Sequence, residues 1–216
     1  MVNEKCAMPP IAFLWKSGQI WWMRLNDTTS LISFLKTRKS ASAKAMAGPG
    51  PDPGEIDDIL AMATRVPDHG KLSPWRFVVF CGSSRAEIGK VFAARWKELN
   101  PSHGQEILEF QANLFTRAPV VIAVVSTAQP HAKIPVWEQQ MSAAAVCMNI
   151  ELASQAMGYD VQWQTDWVAY DTIAKSAMGL KAEENIAGLI YIGRTTLPLE
   201  DRPRPDSKAL TTYWRA

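Results

Sequence analysis

Three groups of residues carry side chains that can do chemistry at short spacing. Arg38-Lys39-Ser40 sets two cations beside a hydroxyl. That set suits a phosphate, because a guanidinium offers a fork of donors and a serine adds a neutral hydrogen bond. It equally suits a solvated helix C-terminus, where cations complement the dipole. The second group runs from Arg65 to Trp75, where two prolines and a glycine fix the chain and Arg65, Asp68, His69, Lys71 and Ser73 are presented. Rigid loops of this kind concentrate ligand contacts, and they also serve as plain polar turns. The third group is Trp163-Gln164-Thr165-Asp166-Trp167. Two indoles four residues apart, with amide and hydroxyl groups between them, can line a planar heteroaromatic ligand or pack in a core or interface.

Other chemistries lack their residues. No G-x-S-x-G, H-E-x-x-H or G-x-x-x-x-G-K-[ST] occurs. Gly48, Gly50 and Gly54 do not match G-x-G-x-x-G, and prolines interrupt them. His69, His103 and His131 stand far apart without carboxylate companions, so no metal site is expected. Cys6, Cys81 and Cys147 form neither a disulfide framework nor a zinc spacing, which suits a reducing cytoplasm.

The elements that must position these groups follow from patterning. Asp27-Thr28-Thr29-Ser30 caps a short helix that ends near Arg38-Lys39-Ser40. Residues 46–54 read as a surface loop. Asp52, Pro53 and Glu55 then open a helix whose Ile56, Ile59, Leu60 and Ala63 share a face, and Pro67 closes it. Strands are expected at 75–81, 119–126, 159–164 and 186–193, and helices from Ser83 or Ser84 to 99, over 103–117, at 137–157 and at 170–179. The helix at 137–157 is apolar nearly all round, which places it in a core or a subunit interface. The proline-bearing tail 195–216 reads as extended. Helices outnumber strands, so the fold is a layered α+β or α/β domain around a small sheet.

Length and composition agree with one such domain. The chain has 216 residues, 47% of them hydrophobic and 20% charged, so it can fill a core. A net charge of 23 − 21 = +2 argues against nucleic acid as the main partner. No apolar run of membrane-spanning length is present, so no membrane partner is expected. The apolar stretch Pro9–Trp15 lacks the flanks and cleavage site of a secretory signal. Residues 1–27 are read as a dispensable extension and 28–216 as the folded domain. A packed N-terminal arm is the competing reading for the Trp-rich part.

The ordered set of motifs resembles the nitroreductase family. It begins at Arg38-Lys39-Ser40-Ala41-Ser42 and passes through Arg65-Val66-Pro67-Asp68-His69 to Ser73-Pro74-Trp75-Arg76-Phe77. Trp137-Glu138-Gln139-Gln140-Met141-Ser142-Ala143, then Gly158-Tyr159 and Trp163-Gln164-Thr165, narrow the likeness to the small YdjA-like NAD(P)H nitroreductases. The resemblance implies an α+β, three-layer fold with a small central sheet flanked by helices, and an intertwined homodimer holding FMN at its interface. It implies that Arg38, Lys39 and Ser40 form the first FMN-binding segment. Arg65 and His69 correspond to contacts from the neighbouring subunit, and Trp163, Gln164 and Thr165 to the segment beside the flavin ring. Arg204, in Arg202-Pro203-Arg204, sits where relatives place basic residues near the phosphate. Two departures stand out: Ser73 replaces a customary Gln, and Gln164 replaces a basic residue, which bears on the flavin's redox potential.

The resemblance implies an enzyme that takes a hydride from NAD(P)H and reduces a small-molecule acceptor, a nitroaromatic or quinone, in ping-pong order. The flavin carries the chemistry, so no catalytic side chain is expected. Two alternatives stay open on the sequence: another flavin chemistry on the same scaffold (reductive dehalogenation or flavin fragmentation), and a non-enzymatic flavin-binding module.

Overall fold

A computed structural model describes residues 11–14, 20–195 and 197–215, with side chains from residue 24 onward. Most of the N-terminal stretch discussed above therefore lies outside the described residues. Its described backbone forms an antiparallel pair, β1 (Ile11–Leu14) with β2 (Ile20–Met23). Two compact units are formed: one from the residues up to Lys39 together with those from Pro198 on, the other from Ser40–Leu197.

In the first unit, α1 (Leu31–Thr37) starts where the capping residues place it. Ser30 Oγ accepts from the Ser33 N–H at 3.0 Å. Phe34 and Thr37 are buried, whereas Leu31, Ile32 and Leu35 are exposed. The tail from Pro198 carries no helix or strand among its described residues.

The second unit is built on a five-stranded sheet in which every pairing is antiparallel. That settles the open alternative in favour of α+β. The long strand β7 (Asn185–Thr195) is its axis. On one side it pairs β5 (Val120–Ser126), which in turn pairs β4 (Trp75–Cys81). On the other it pairs β6 (Asp160–Gln164) and, further along, the two-residue β3 (Met46–Ala47). β5 is buried throughout, as its unbroken apolar run requires.

Alternation along the strands sorts side chains into two cores. On one face Val120, Ile122, Val124, Ile190 and Ile192 meet α2 (Pro53–Ala63) and α5 (Val136–Ala156). On the other, Val121, Ala123, Val125, Leu189 and Tyr191 meet Phe92 of α3 (Ser84–Leu99), Leu114, Phe115 and the α6 helix (Thr172–Ala177). The result is helix, sheet, helix: three layers. α2 has the expected capping box, with Asp52 bonded to the Glu55 N–H and Glu55 reaching back to the Asp52 N–H. No helix among the described residues is long and apolar enough to cross a membrane.

Three local readings change. The 46–54 loop begins with β3, since Met46 and Ala47 pair with Thr195 and Arg194. The helix expected over 103–117 is only α4 (Gln105–Ala112), followed by a short 3-10 turn. It stops at Asn113, whose φ of −92° and ψ of 10° leave the helical region, and the Leu114 and Phe115 that follow are completely buried, Phe115 meeting Phe80 and Phe92 edge-on at 5.0 Å. The last helix is shorter than expected, because Asp171 caps α6 and Gly179, at φ 81°, ends it.

Candidate functional site

Glu151 lies on α5 and is buried, yet its Oε1 accepts two hydrogen bonds. One comes from Ser40 Oγ at 3.0 Å and the other from the Trp163 N–H at 3.0 Å. Residues far apart in sequence thus meet on one carboxylate oxygen. Nearby, the Ala41 N–H bonds the Val161 carbonyl and the Ala43 N–H bonds Gln162 Oε1. These lace the start of the second unit along β6. Sequence reading singled out Ser40 and Trp163 but missed Glu151. Apart from Glu138 in the first turn, Glu151 carries the one charge of the Val136–Ala156 helix, and that was the signal that could have found it.

From Trp163 the chain continues to Gln164, half-buried, and Thr165, exposed. Tyr170 donates from its hydroxyl to Thr165 Oγ1 at 3.3 Å. The Trp163 indole lies across β7 at Gly188, where a Cβ would strike its ring nitrogen. Gln164 faces the other side, beside the fully buried Tyr191. Burial pushes the Tyr191 phenol up to about 12, against the pull of the Gln164 amide and the Arg117 charge.

The two tryptophans do not line one ligand. Trp167 packs in the opposite core against Phe92 and Trp96, its indole donating to Gln111 Oε1 at 2.9 Å. Only Trp163 stays on the α5 side of the sheet. The reason is the turn after β6: Asp166 bonds the Trp167 N–H and starts a 3-10 turn that carries Trp167 over the sheet's other face.

The Arg65–Trp75 loop is held by α5 at three points. The Asn149 amide donates to the Arg65 carbonyl at 3.1 Å, Ser142 Oγ to the Pro67 carbonyl at 2.6 Å, and His69 Nδ1 lies 2.6 Å from Glu138 Oε2. At 100° per residue, positions 138, 142 and 149 fall within about 40° of one another. Position 151 lies about 160° away. Arg65 and His69 are therefore on one side of α5, and the Ser40–Trp163 junction is on the other. Both side chains are exposed, and Arg65 borders a shallow depression with Asp58, Ala61, Met62 and Met157. Asp68, read as a presented side chain, instead turns inward. Its carboxylate accepts from the Leu72 and Ser73 N–H groups and braces a stretch where Gly70, Lys71 and Ser73 all have positive φ.

The first unit gathers the remaining cations. Asn26 clamps Lys39 by accepting from its N–H at 2.8 Å and donating to its carbonyl at 3.1 Å. Arg204 pairs with Asp201 and donates to the Arg38 carbonyl at 3.4 Å. Burial pushes the Asp201 carboxyl up, but the Arg202 N–H, Arg204 and the Lys39 charge outweigh it and hold the group below its usual range. The tail residue Arg204 thus meets the Arg38–Lys39 segment.

The model of the nitroreductase family matches residues 35–194. The chain belongs to the nitroreductase family. It is 34% identical over 184 residues to a Haemophilus influenzae protein named "Putative NAD(P)H nitroreductase", covering 84% of this chain and 98% of that one. Escherichia coli K12 YdjA, which carries the same name, is 28% identical over 184 residues, 85% of this chain and 98% of that protein. Among solved structures, a Bacteroides fragilis nitroreductase with bound FMN shares the fold at a TM-score of 0.61 and 16% identity, over 83% of this chain and 96% of that one. Within this nitroreductase scaffold, no group of three or more His, Cys, Asp or Glu among the described residues is placed to hold a metal ion.

Proposed function

We propose that this nitroreductase-family chain is an FMN-dependent oxidoreductase, a homodimer that uses NAD(P)H to reduce nitroaromatic or quinone-like acceptors. The observation that carries the reading is the meeting of Ser40 with the Trp163–Thr165 segment on Glu151. The donor set fits FMN part by part. A phosphate needs cations, which Arg38, Lys39 and Arg204 supply. A polyhydroxylated chain needs neutral polar partners such as Ser40 and Thr165, and a planar ring needs an apolar wall, for which Trp163 is the candidate. FMN, when bound, supplies the two-electron chemistry, taking a hydride from the reduced nicotinamide and giving it to the acceptor.

The protein's part is to bind, orient and shield. Gln164 is a neutral group in the segment that the family resemblance sets beside the ring, so it stabilises negative charge there less than a Lys or Arg would. Arg65 and His69, on the far side of α5, belong in this reading to the site of the second subunit. The helix offers a face for that subunit: Trp137 and Met141 are exposed and Ala144, Met148 and Leu152 half-buried in one stripe.

The test is direct. The purified protein should be yellow, contain about one FMN per chain, sediment as a dimer, and oxidise NADH or NADPH only when an acceptor is present. Double-reciprocal plots should be parallel, as for one site used by two substrates in turn. A colourless protein that takes up no added FMN overturns the reading.

A further inference from the structure

We infer that Glu138 is a positioning residue that sets the tautomer of His69 and so makes its outward nitrogen an acceptor. The inference rests on the flavin-binding reading above and deepens it. The chain has three imidazoles, and they are surrounded in two different ways. His103 Nδ1 faces a donor, the Trp96 indole N–H at 2.9 Å. His131 Nδ1 faces two, the Lys133 and Ile134 N–H groups at 3.2 and 3.1 Å. A neutral ring whose Nδ1 accepts carries its proton on Nε2. His69 Nδ1 instead lies 2.6 Å from Glu138 Oε2. An ionised carboxylate only accepts, so the neutral His69 ring carries its proton on Nδ1 and turns the lone pair of Nε2 away from the helix.

The rest of the loop holds the two side chains together. Glu138 sits in the first turn of α5, where the helix dipole favours negative charge. Ser142 and Asn149 of the same helix bond the Pro67 and Arg65 carbonyls, so the segment leading to His69 is fixed to α5. Asp68 braces the turn that follows, and Gly70 leaves no room for a side chain against Ile134. The His69 side chain is itself 63% exposed, which leaves Nε2 open to a ligand. A lone pair does not bind a phosphate oxygen, which is an acceptor too. It takes an N–H or O–H, and a flavin offers both: the imide N–H of its ring and the hydroxyls of its sugar-alcohol chain. His69 of one subunit thus reads the ring or the chain of the flavin held by the other, and the phosphate falls to the cations.

Long-range 1H–15N spectra of the histidine-labelled, flavin-free full chain read the tautomers directly. They are recorded at pH 8, above the ordinary imidazole value of about 6.5. One ring of the three should show the Nδ1–H pattern, and that signal should vanish in His69→Ala. In Glu138→Leu the same ring should move towards the Nε2–H form that imidazole favours in water, while His103 and His131 stay as they are. A merely structural Glu138 would leave the His69 pattern unchanged. Flavin titrations followed by fluorescence give the second readout. His69→Ala and Glu138→Leu should each weaken FMN and riboflavin (no phosphate) by the same factor, about tenfold for one hydrogen bond. The double variant should also lose about tenfold rather than a hundredfold, because Glu138 acts through His69. Lumiflavin, the ring alone, tells the two donors apart: an equal loss assigns the imide N–H, no loss the hydroxyls, and either accords with the inference. Three Nε2–H rings in the wild type, or a loss confined to FMN, overturns the inference and leaves the flavin-binding reading standing. A wild-type chain that binds none of the three flavins overturns both.

Discussion

At the scale of single residues, the site depends on atoms that are absent as much as on those present. Gly188 has no side chain, and the Trp163 indole and Cys147 occupy the space a Cβ would need. Cys147 is correspondingly inert: burial and the nearby Glu151 charge push its thiol up to about 12. Gly188→Ala should cost about 1–3 kcal/mol by overpacking. It should also displace Trp163, changing tryptophan emission and weakening FMN binding. Cys147→Ala in the same chain should restore part of the stability by opening room. Urea unfolding with tryptophan emission checks both effects, and an unchanged midpoint would mean the indole moves aside without strain. These contacts could not be read from the sequence. Gly188 looks there like one more small residue in an apolar strand, and only the pairing of Trp163 with Ile190 puts the ring across it.

At the scale of elements, most of the framework was legible because each piece announces itself locally. The Asp52–Pro53–Glu55 cap, the apolar run of β5 and the Ser30 cap are all short-range patterns. What was not legible is tertiary: Trp167's choice of the opposite core, the β3 pairing, and the ion pairs that tie elements together. One such tie joins β4 to the 179–184 turn. Arg76 donates to both Glu184 oxygens at 2.8 and 2.6 Å and to the Gly179 carbonyl at 2.7 Å. The Arg76 guanidinium, with help from the Lys181 N–H, outweighs burial and holds the Glu184 carboxyl down at about 2, against 4.5 when free. A depressed carboxyl stabilises the fold above its ordinary value, and the contribution is lost as pH falls from about 4.5 towards 2. Glu184 is 6% exposed but Arg76 36%, so solvent screening brings the pair down to about 1 kcal/mol. Wild-type unfolding free energy should therefore fall across that window. Arg76→Leu should be less stable at neutral pH and should lose that slope, as urea midpoints between pH 2 and 6 would reveal.

At the scale of the molecule, two expectations remain to be tested by cutting and mixing chains. If residues 1–22 are dispensable, a chain beginning at Met23 keeps its flavin, its Tm and its dimer. Loss of the dimer alone would assign the Trp-rich stretch to the interface. The composite site gives the sharper test, because it predicts activity from inactive parts. Arg65 and His69 are fastened to the 138–142–149 side of α5, and the Ser40–Trp163 junction hangs on position 151 across the same helix. In the proposed two-fold dimer, each subunit lends its loop to the other's site. Take Arg38→Ala in one chain and His69→Ala in the other, each inactive alone. In the heterodimer one site collects both lesions and the other collects neither. Random mixing makes about half of all dimers heterodimers, each with one intact site of two, so about a quarter of wild-type activity should return. The return should track subunit exchange, appearing only after the parents are unfolded and refolded together, or incubated long enough to trade chains. An exchanged mixture that stays inactive would put both residues in the same subunit's site.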